Sequence, residues 1–133
     1  MVPAFARQIA EIEAGRAEPV LLVGNLEVTR DLTDVRDVAR AYIALLERGA
    51  ALRTYNVGRG EGISLTVVAE RMLGMARTPV RIEPDPARMR PADLPWLVSD
   101  PSRIAHDTGW RAGIPLEQTI TDVLEEWRRA PLS

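Results

Sequence analysis

Three arginines and one aspartate, in two separate loops, are the side chains best suited to binding a ligand. Arg30 lies beside a predicted turn, whereas Arg88, Arg90 and Asp93 lie in a proline-rich segment, residues 84–95. A guanidinium held by a stiff loop can bind a phosphate or carboxylate through two parallel hydrogen bonds. A nearby carboxylate can accept hydrogen bonds from sugar hydroxyls. These residue types suggest a site for an anionic ligand that carries a sugar, although the same charges would also suit a solvated surface loop.

No other group of polar residues forms a recognisable catalytic or metal-binding pattern. His106 is the only histidine and the chain has no cysteine, which excludes a typical zinc site. We expect His106 to be solvated on a helix. The glycines of residues 58–62 follow a predicted strand, but their spacing matches neither of the common phosphate-binding loops. We therefore predict a plain turn there.

The composition is that of an ordinary globular protein. Of the 133 residues, 46% are hydrophobic and 27% are charged, and the formal net charge is −2. We predict a single domain, residues 1–133, without the excess positive charge that attracts nucleic acid. No apolar run approaches the roughly 20 residues of a membrane span, and the N-terminus lacks a signal-peptide pattern. We therefore expect a cytoplasmic protein without a membrane partner.

Helix-like and strand-like patterns alternate along the chain, which predicts an α/β fold with a small mixed sheet and packed helices. Asp34 and Ser64 are suited to cap the second and third helices. The helices are predicted at residues 3–14, 34–48, 65–76, 101–108 and 115–129. The strands are predicted at residues 19–23, 54–57 and 80–83, with a short extended piece at 27–30.

Several apolar features suggest that part of a larger structure is missing. The chain begins within an amphipathic helix, and the predicted strand 54–57 has few evident partners. The helix at 34–48 has a strong apolar face, which would be exposed in a truncated chain and would favour self-association. A second apolar run, residues 94–98, fits local core better than an interface. The apolar face of the helix consists of Val35, Val38, Tyr42, Leu45 and Leu46.

Five motifs, taken in order, resemble the C-terminal, substrate-binding half of extended short-chain dehydrogenase/reductases that act on nucleotide sugars. The resemblance runs from near residue 2 to about residue 128 and is closest to GDP-4-keto-6-deoxy-D-mannose reductases and GDP-mannose 4,6-dehydratases. It implies the C-terminal portion of an NAD(P)-binding Rossmann-type enzyme. The motifs are Val23-Gly24-Asn25-Leu26-Glu27-Val28-Thr29-Arg30-Asp31 with Asp34-Val35-Arg36-Asp37-Val38, then Tyr55-Asn56-Val57-Gly58, Asp85-Pro86-Ala87-Arg88-Met89-Arg90-Pro91-Ala92-Asp93, Asp100-Pro101-Ser102-Arg103 and Thr108-Gly109-Trp110.

The resemblance assigns roles to five residues of the substrate site. It implies that Arg30 and Arg90 contact the nucleotide diphosphate and that Asp93 contacts the ribose. It also implies that Asn25 and Leu26 line the nucleotide pocket, partly through their backbone. The family has glutamate or aspartate at the position of Asp93, and the aspartate here has the shorter reach by one methylene.

The residues that carry the family's chemistry do not occur in this chain. There is no glycine-rich cofactor fingerprint and no Tyr-x-x-x-Lys: Tyr42 is followed four residues later by Leu46, and Tyr55 by Arg59. We therefore expect this chain to bind no cofactor and to be inactive alone. A complete enzyme would use NADP or NAD to transfer a hydride to or from a GDP-linked hexose, with the tyrosine as general acid or base.

A second hypothesis remains open. The chain is also suited to be a non-catalytic binding or assembly module that pairs with a separate catalytic chain. In the family, the helix at 34–48 and the strand at 54–57 pack against the dinucleotide-binding half. The expected partners are therefore a nucleotide sugar and either that missing half or a second copy of this chain.

Overall fold

The computed structural model describes residues 1–89 and 94–130, and it confirms the predicted α/β class. All five predicted helices are present in the described part. In chain order the elements are α1 (Val2–Glu13), β1 (Val20–Val23), β2 (Thr29–Asp31), α2 (Val35–Arg48), β3 (Gly62–Ser64), α3 (Leu65–Gly74), β4 (Arg81–Pro84), a 3-10 turn (Pro86–Arg88), β5 (Trp96–Leu97), α4 (Ser102–Thr108) and α5 (Leu116–Arg129).

These elements form two compact units. The first unit comprises Met1–Val28, Ser64–Pro95 and Glu117–Ser133, and the second comprises Thr29–Ile63 and Trp96–Leu116. None of the described helices combines the length and the apolar character that crossing a membrane requires.

In the first unit, helices pack around a parallel pair of strands. β1 pairs with β4 so that Val20 lies opposite Arg81 and Val23 lies opposite Pro84. The apolar faces of α1, α3 and α5 form the core, because residues three or four positions apart lie on the same side of a helix. The buried side chains of this core are Phe5, Ile9, Ile12, Leu21, Val23, Leu65, Val68, Met72, Ile120 and Leu124.

A largely buried ion pair joins the first and last helices of this unit. Arg128 on α5 donates two hydrogen bonds of 2.7 Å to the carboxylate of Glu13 on α1. A third hydrogen bond, of 2.9 Å, runs from Arg128 to the carbonyl oxygen of Met75. The hydrogen bonds from Arg128 lower the pKa of Glu13 against the opposing effect of its burial. The pair therefore ties both ends of the unit together and stays charged at neutral pH.

The second unit contains the three-stranded sheet β3–β2–β5, in which β2 and β5 are parallel. Its apolar core is small and lies between α2 and α4. Because it is small, the hydrogen bonds of buried carboxylates are important to this unit. The core consists of Ala41, Ala44, Ile104 and Trp110, with Leu45, Tyr55, Val57 and Ala112 packed against it.

The predicted strand at residues 54–57 is wrong. This segment pairs with no described strand, and side chains bind it instead: Arg103 donates to the carbonyl oxygen of Thr54 over 2.9 Å, and the Tyr55 hydroxyl donates to Asp107 over 2.7 Å. A strand that the sequence did not predict, β3, lies five residues beyond it at Gly62–Ser64. An extended segment becomes a strand only where a neighbouring strand can pair with it, and composition does not report this.

The apolar face of α2 is largely exposed, as expected. Tyr42 is 61% exposed and Leu46 is 88% exposed, whereas the buried face of the helix carries Asp37, Ala41 and Ala44.

The second apolar run, residues 94–98, was predicted to be local core. For its large side chains this prediction is wrong. Leu94, Trp96 and Leu97 are all more than half exposed because β5 is a two-residue strand at the edge of its sheet.

Candidate functional site

Two of the motifs singled out in the sequence leave the same edge of the β1–β4 pair. Because the strands are parallel and Val23 lies opposite Pro84, the segments that follow them begin side by side. The backbone N–H of Asp85 donates to the carbonyl oxygen of Val23 over 2.8 Å and continues the pairing. Ligands of open parallel sheets bind beyond the carboxyl ends of the strands. This edge is therefore where the first unit can bind one.

Gly24 is required where these two segments meet. A Cβ atom placed on Gly24 would lie 2.4 Å from the carbonyl oxygen of Arg88, closer than real side chains approach a backbone oxygen. The absence of a side chain therefore allows the turn after β1 to touch the 3-10 turn after β4. The sequence motifs at Gly24 and Arg88 are about sixty residues apart, and the fold brings them into contact.

Asn25 and Leu26 lie in the turn that follows Gly24. The side-chain oxygen of Asn25 accepts a hydrogen bond of 2.9 Å from the backbone N–H of Glu27, and the rest of this exposed side chain faces outward. The carbonyl oxygen of Leu26 accepts from both the N–H and the hydroxyl of Thr66, each at 3.2 Å. The turn is thus anchored to the start of α3, and it presents the exposed polar side chain of Asn25.

The loop after β4 is ordered by Asp85. One oxygen of its carboxylate accepts from the N–H of Ala87 over 2.9 Å, and the other accepts from Nε of Arg88 over 3.0 Å. Arg90 and Asp93 follow this loop and lie outside the described residues, so their assigned roles remain predictions.

Arg30 belongs to the second unit and lies in the middle of β2. Its side chain is partly buried, and its Nη1 donates to the carbonyl oxygen of Thr29 over 2.8 Å. In the parallel pairing with β5, Arg30 lies opposite Leu97.

Asp31, the next residue, organises the loops around β2. It accepts hydrogen bonds from the N–H groups of Arg59 (3.0 Å) and Gly60 (2.9 Å) and from the hydroxyl of Ser99 (2.5 Å). Burial by itself would raise the pKa of Asp31, but these hydrogen bonds outweigh it and lower the pKa below its ordinary value. The sequence by itself does not reveal these contacts of Asp31. The glycines at 58 and 60 were the available signal, because they let the backbone approach a carboxylate closely.

Asp37 is the other acidic side chain whose role the sequence did not reveal. It lies in the first turn of α2, but it is fully buried and does more than stabilise the helix start. Its Oδ2 accepts from the N–H groups of Gly113 (3.0 Å) and Ile114 (2.9 Å), and its Oδ1 accepts from Arg40. Asp37 thereby holds the segment between α4 and α5 in place.

His106 is solvated, as predicted. Its ring is 87% exposed, and its Nδ1 lies 2.8 Å from the carboxylate of the adjacent Asp107. Within residues 1–89 and 94–130, no cluster of histidine, aspartate and glutamate has the arrangement needed to hold a metal ion.

Comparisons with known proteins identify the family. Residues 2–123 match the model of the family described as GDP-mannose 4,6 dehydratase. The chain is 35% identical over 127 residues to the GDP-6-deoxy-D-mannose reductase of Pseudomonas aeruginosa, covering 96% of this chain and 42% of that enzyme. It is 29% identical over 131 residues to the UDP-glucose 4-epimerase of Bacillus subtilis, covering 90% of this chain and 37% of that enzyme.

The comparison with solved structures leads to the same family. The structure of RMD from Pseudomonas aeruginosa complexed with NADPH superposes with a TM-score of 0.88 at 33% identity, covering 96% of this chain and 42% of that one. The chain thus spans about two fifths of the length of the relatives that it matches. These findings confirm the resemblance inferred from the motifs. The chain belongs to the GDP-mannose 4,6 dehydratase family, among the nucleotide-sugar reductases, dehydratases and epimerases.

Proposed function

We propose that this chain is the nucleotide-sugar-binding domain of an NAD(P)-dependent enzyme that modifies a GDP-linked hexose. One observation carries the proposal. The parallel pair β1–β4 brings the Gly24 turn and the Asp85 loop, both parts of the family motifs, to the carboxyl edge of the strands. The likeness over 96% of the chain to a GDP-6-deoxy-D-mannose reductase favours GDP as the nucleotide.

In this proposal, the residues of the site bind three parts of the ligand: the diphosphate, the ribose and the remainder of the nucleotide. Arg30 and Arg90 bind the diphosphate, since a guanidinium pairs with phosphate oxygens through charge-assisted hydrogen bonds. Asp93 accepts hydrogen bonds from the ribose hydroxyls. Asn25 and Leu26 line the nucleotide pocket, with the exposed amide of Asn25 available for polar contacts.

The described residues do not fit a dinucleotide cofactor. Residues 58–62 are the only stretch of the sequence with closely spaced glycines, and the N–H groups of Arg59 and Gly60 in this stretch already donate to Asp31. They are therefore not available to cradle a pyrophosphate. We propose that NADP or NAD binds to polypeptide outside this sequence and that this chain alone binds the nucleotide sugar without catalysing its reaction.

Calorimetry with GDP and GDP-mannose tests the proposal. We expect the chain to bind GDP at millimolar or lower concentration and Arg90→Ala to weaken binding about tenfold or more, because a hydrogen bond to a charged group is worth about 1.5–3 kcal/mol. Arg30→Ala should weaken binding similarly. Arg81→Ala is the matched control, because Arg81 lies at the start of β4, at the end opposite the Asp85 loop. Its side chain pairs with Glu83.

Two outcomes would contradict the assignment. No detectable binding of GDP at millimolar concentration would reject the proposed function, and binding unchanged in Arg90→Ala would reject the assigned site. UDP in the same titration tests the base, since the chain is also similar to a UDP-glucose 4-epimerase. Tighter binding of UDP than GDP would exclude the GDP-linked substrate.

The exposed face of α2 favours a second candidate function, that of a module which pairs with a separate catalytic chain. Val35, Tyr42 and Leu46 leave an apolar stripe in contact with solvent. We expect light scattering to show self-association of the isolated chain, and Leu46→Glu to reduce it. A monomeric mass combined with a cooperative thermal transition would count against this candidate.

A further inference from the structure

We propose that Arg88 is an additional phosphate-binding residue, presented at the carboxyl edge of β1–β4 by its contact with Asp85. The inference rests on the proposed function, because it assigns Arg88 to the phosphates of the same nucleotide. It adds a side chain to the site that the resemblance did not include.

The backbone of Arg88 is fixed beside the turn that carries Asn25. Its carbonyl oxygen lies against Gly24, where a Cβ atom would approach to 2.4 Å. Its N–H donates to the carbonyl oxygen of Asp85 over 2.9 Å, and Asp85 itself donates to Val23 over 2.8 Å. The position of Arg88 is therefore set by the strand pairing and does not depend on a freely moving loop.

The guanidinium of Arg88 is hydrogen-bonded through Nε, and its terminal nitrogens remain accessible. Its Nε donates to Oδ2 of Asp85 over 3.0 Å, and the side chain is 47% exposed. Within the residues that the structure describes, its two terminal nitrogens make no hydrogen bond. A guanidinium oriented through Nε loses less conformational freedom on binding, and its terminal nitrogens can both donate to a phosphate.

Other arginines of the first unit are placed differently. Arg128 is largely buried by its pair with Glu13. Arg7 pairs with Glu11 and lies over the ring of Trp127 at 5.9 Å. Arg128 lies on α5 and Arg7 on α1, so neither residue belongs to the Gly24 turn or to the Asp85 loop.

The neighbouring carboxylate does not prevent phosphate binding. The ion pair between Arg88 and Asp85 is solvent-accessible, and such pairs are weak. Asp85 also uses its other oxygen to accept from the N–H of Ala87, so its position is set by the turn. A phosphate bound by the free edge of Arg88 would therefore add to the existing contact without replacing it.

Calorimetry with GDP on the full chain tests the inference. We expect Arg88→Ala to raise the Kd for GDP about tenfold and Arg88→Lys to raise it less, because lysine keeps the charge but not the planar donor pair. The salt dependence of binding should also weaken in Arg88→Ala, since one cation–phosphate contact is lost. Arg81→Ala should match the wild type, and the thermal midpoint should be the same in all four proteins.

The possible failures are distinguishable. If the wild type binds GDP and Arg88→Ala binds it equally well, the inference is rejected and the proposed function stands. If the wild type does not bind GDP at millimolar concentration, both are rejected. A loss of affinity that appears only together with a lower thermal midpoint, and that Arg88→Lys does not partly restore, would show a structural role and would also reject the inference.

Discussion

Replacing Asp37 with alanine should strongly destabilise the second unit. The side chain is fully buried, and its Oδ2 accepts two backbone hydrogen bonds, from Gly113 at 3.0 Å and Ile114 at 2.9 Å. Its Oδ1 accepts from Arg40, which is about half exposed. Alanine at this position would leave two N–H donors without their acceptor and the guanidinium without its carboxylate.

The magnitude follows from these contacts. A hydrogen bond to a charged group contributes about 1.5–3 kcal/mol, which gives about 3–6 kcal/mol for the two backbone donors. Partial exposure of Gly113 and Ile114 lets water replace some of this, so we expect a loss of about 3–4 kcal/mol in the free energy of unfolding. Asn should cost about 1–2 kcal/mol, because it keeps an acceptor oxygen but not the charge. A total stability of about 5–15 kcal/mol would make the alanine variant marginal.

Urea unfolding followed by tryptophan fluorescence measures this loss. Trp110 is a suitable reporter, since it is buried in the second unit and its Nε1 donates to the backbone oxygen of Asp37 over 3.1 Å. Glu47→Ala is the matched control on the same helix. Glu47 forms an exposed pair with Arg48, and its removal should cost no more than about 1 kcal/mol.

Two results would refute this reasoning. A loss below about 1 kcal/mol in Asp37→Ala would mean that the segment around Gly113 is held by other contacts. An equal loss in Glu47→Ala would mean that burial of the carboxylate is not the cause.

Two further predictions concern the first unit. The pKa of Glu13 is lowered from 4.5, mainly by Arg128, so its contribution to stability is present above about pH 4.5 and is lost as the pH falls through the folded-state value. Urea midpoints of wild type and Glu13→Gln should therefore converge as the pH is lowered below 4.5, and a constant difference would contradict this. Gly24→Ala should cost about 1–3 kcal/mol by overpacking against Arg88. Gly74→Ala, whose added Cβ meets nothing within 4 Å, should be neutral or stabilising in the same thermal melts.

The helices and their ends were predictable because their signals are local. Asp34 accepts from the N–H of Arg36 over 2.8 Å and Ser64 accepts from that of Thr66 over 3.2 Å, as expected of N-caps. Gly109 ends α4 with a φ of 76°, a conformation that glycine adopts without steric cost.

Strand positions were less predictable, because a strand depends on a partner distant in sequence. Residues 54–57 have the composition of a strand but bind side chains, whereas Gly62–Ser64 forms one despite its glycine. The parallel pairs β1–β4 and β2–β5 join segments separated by about sixty residues. Nothing in either segment alone identifies the other.

The sequence alone determined the α/β class, the five helices and the family resemblance, which depends on ordered motifs. It also drew attention to the Gly24 turn and to the Asp85 loop, which contains Arg88. Only the tertiary structure decided that these two meet at one strand edge and that Asp31 and Asp37 hold distant backbone segments. The physical reason is that a carboxylate, an arginine or a glycine acquires its role from the groups that folding brings within hydrogen-bonding or van der Waals distance. Those groups lie far away along the chain.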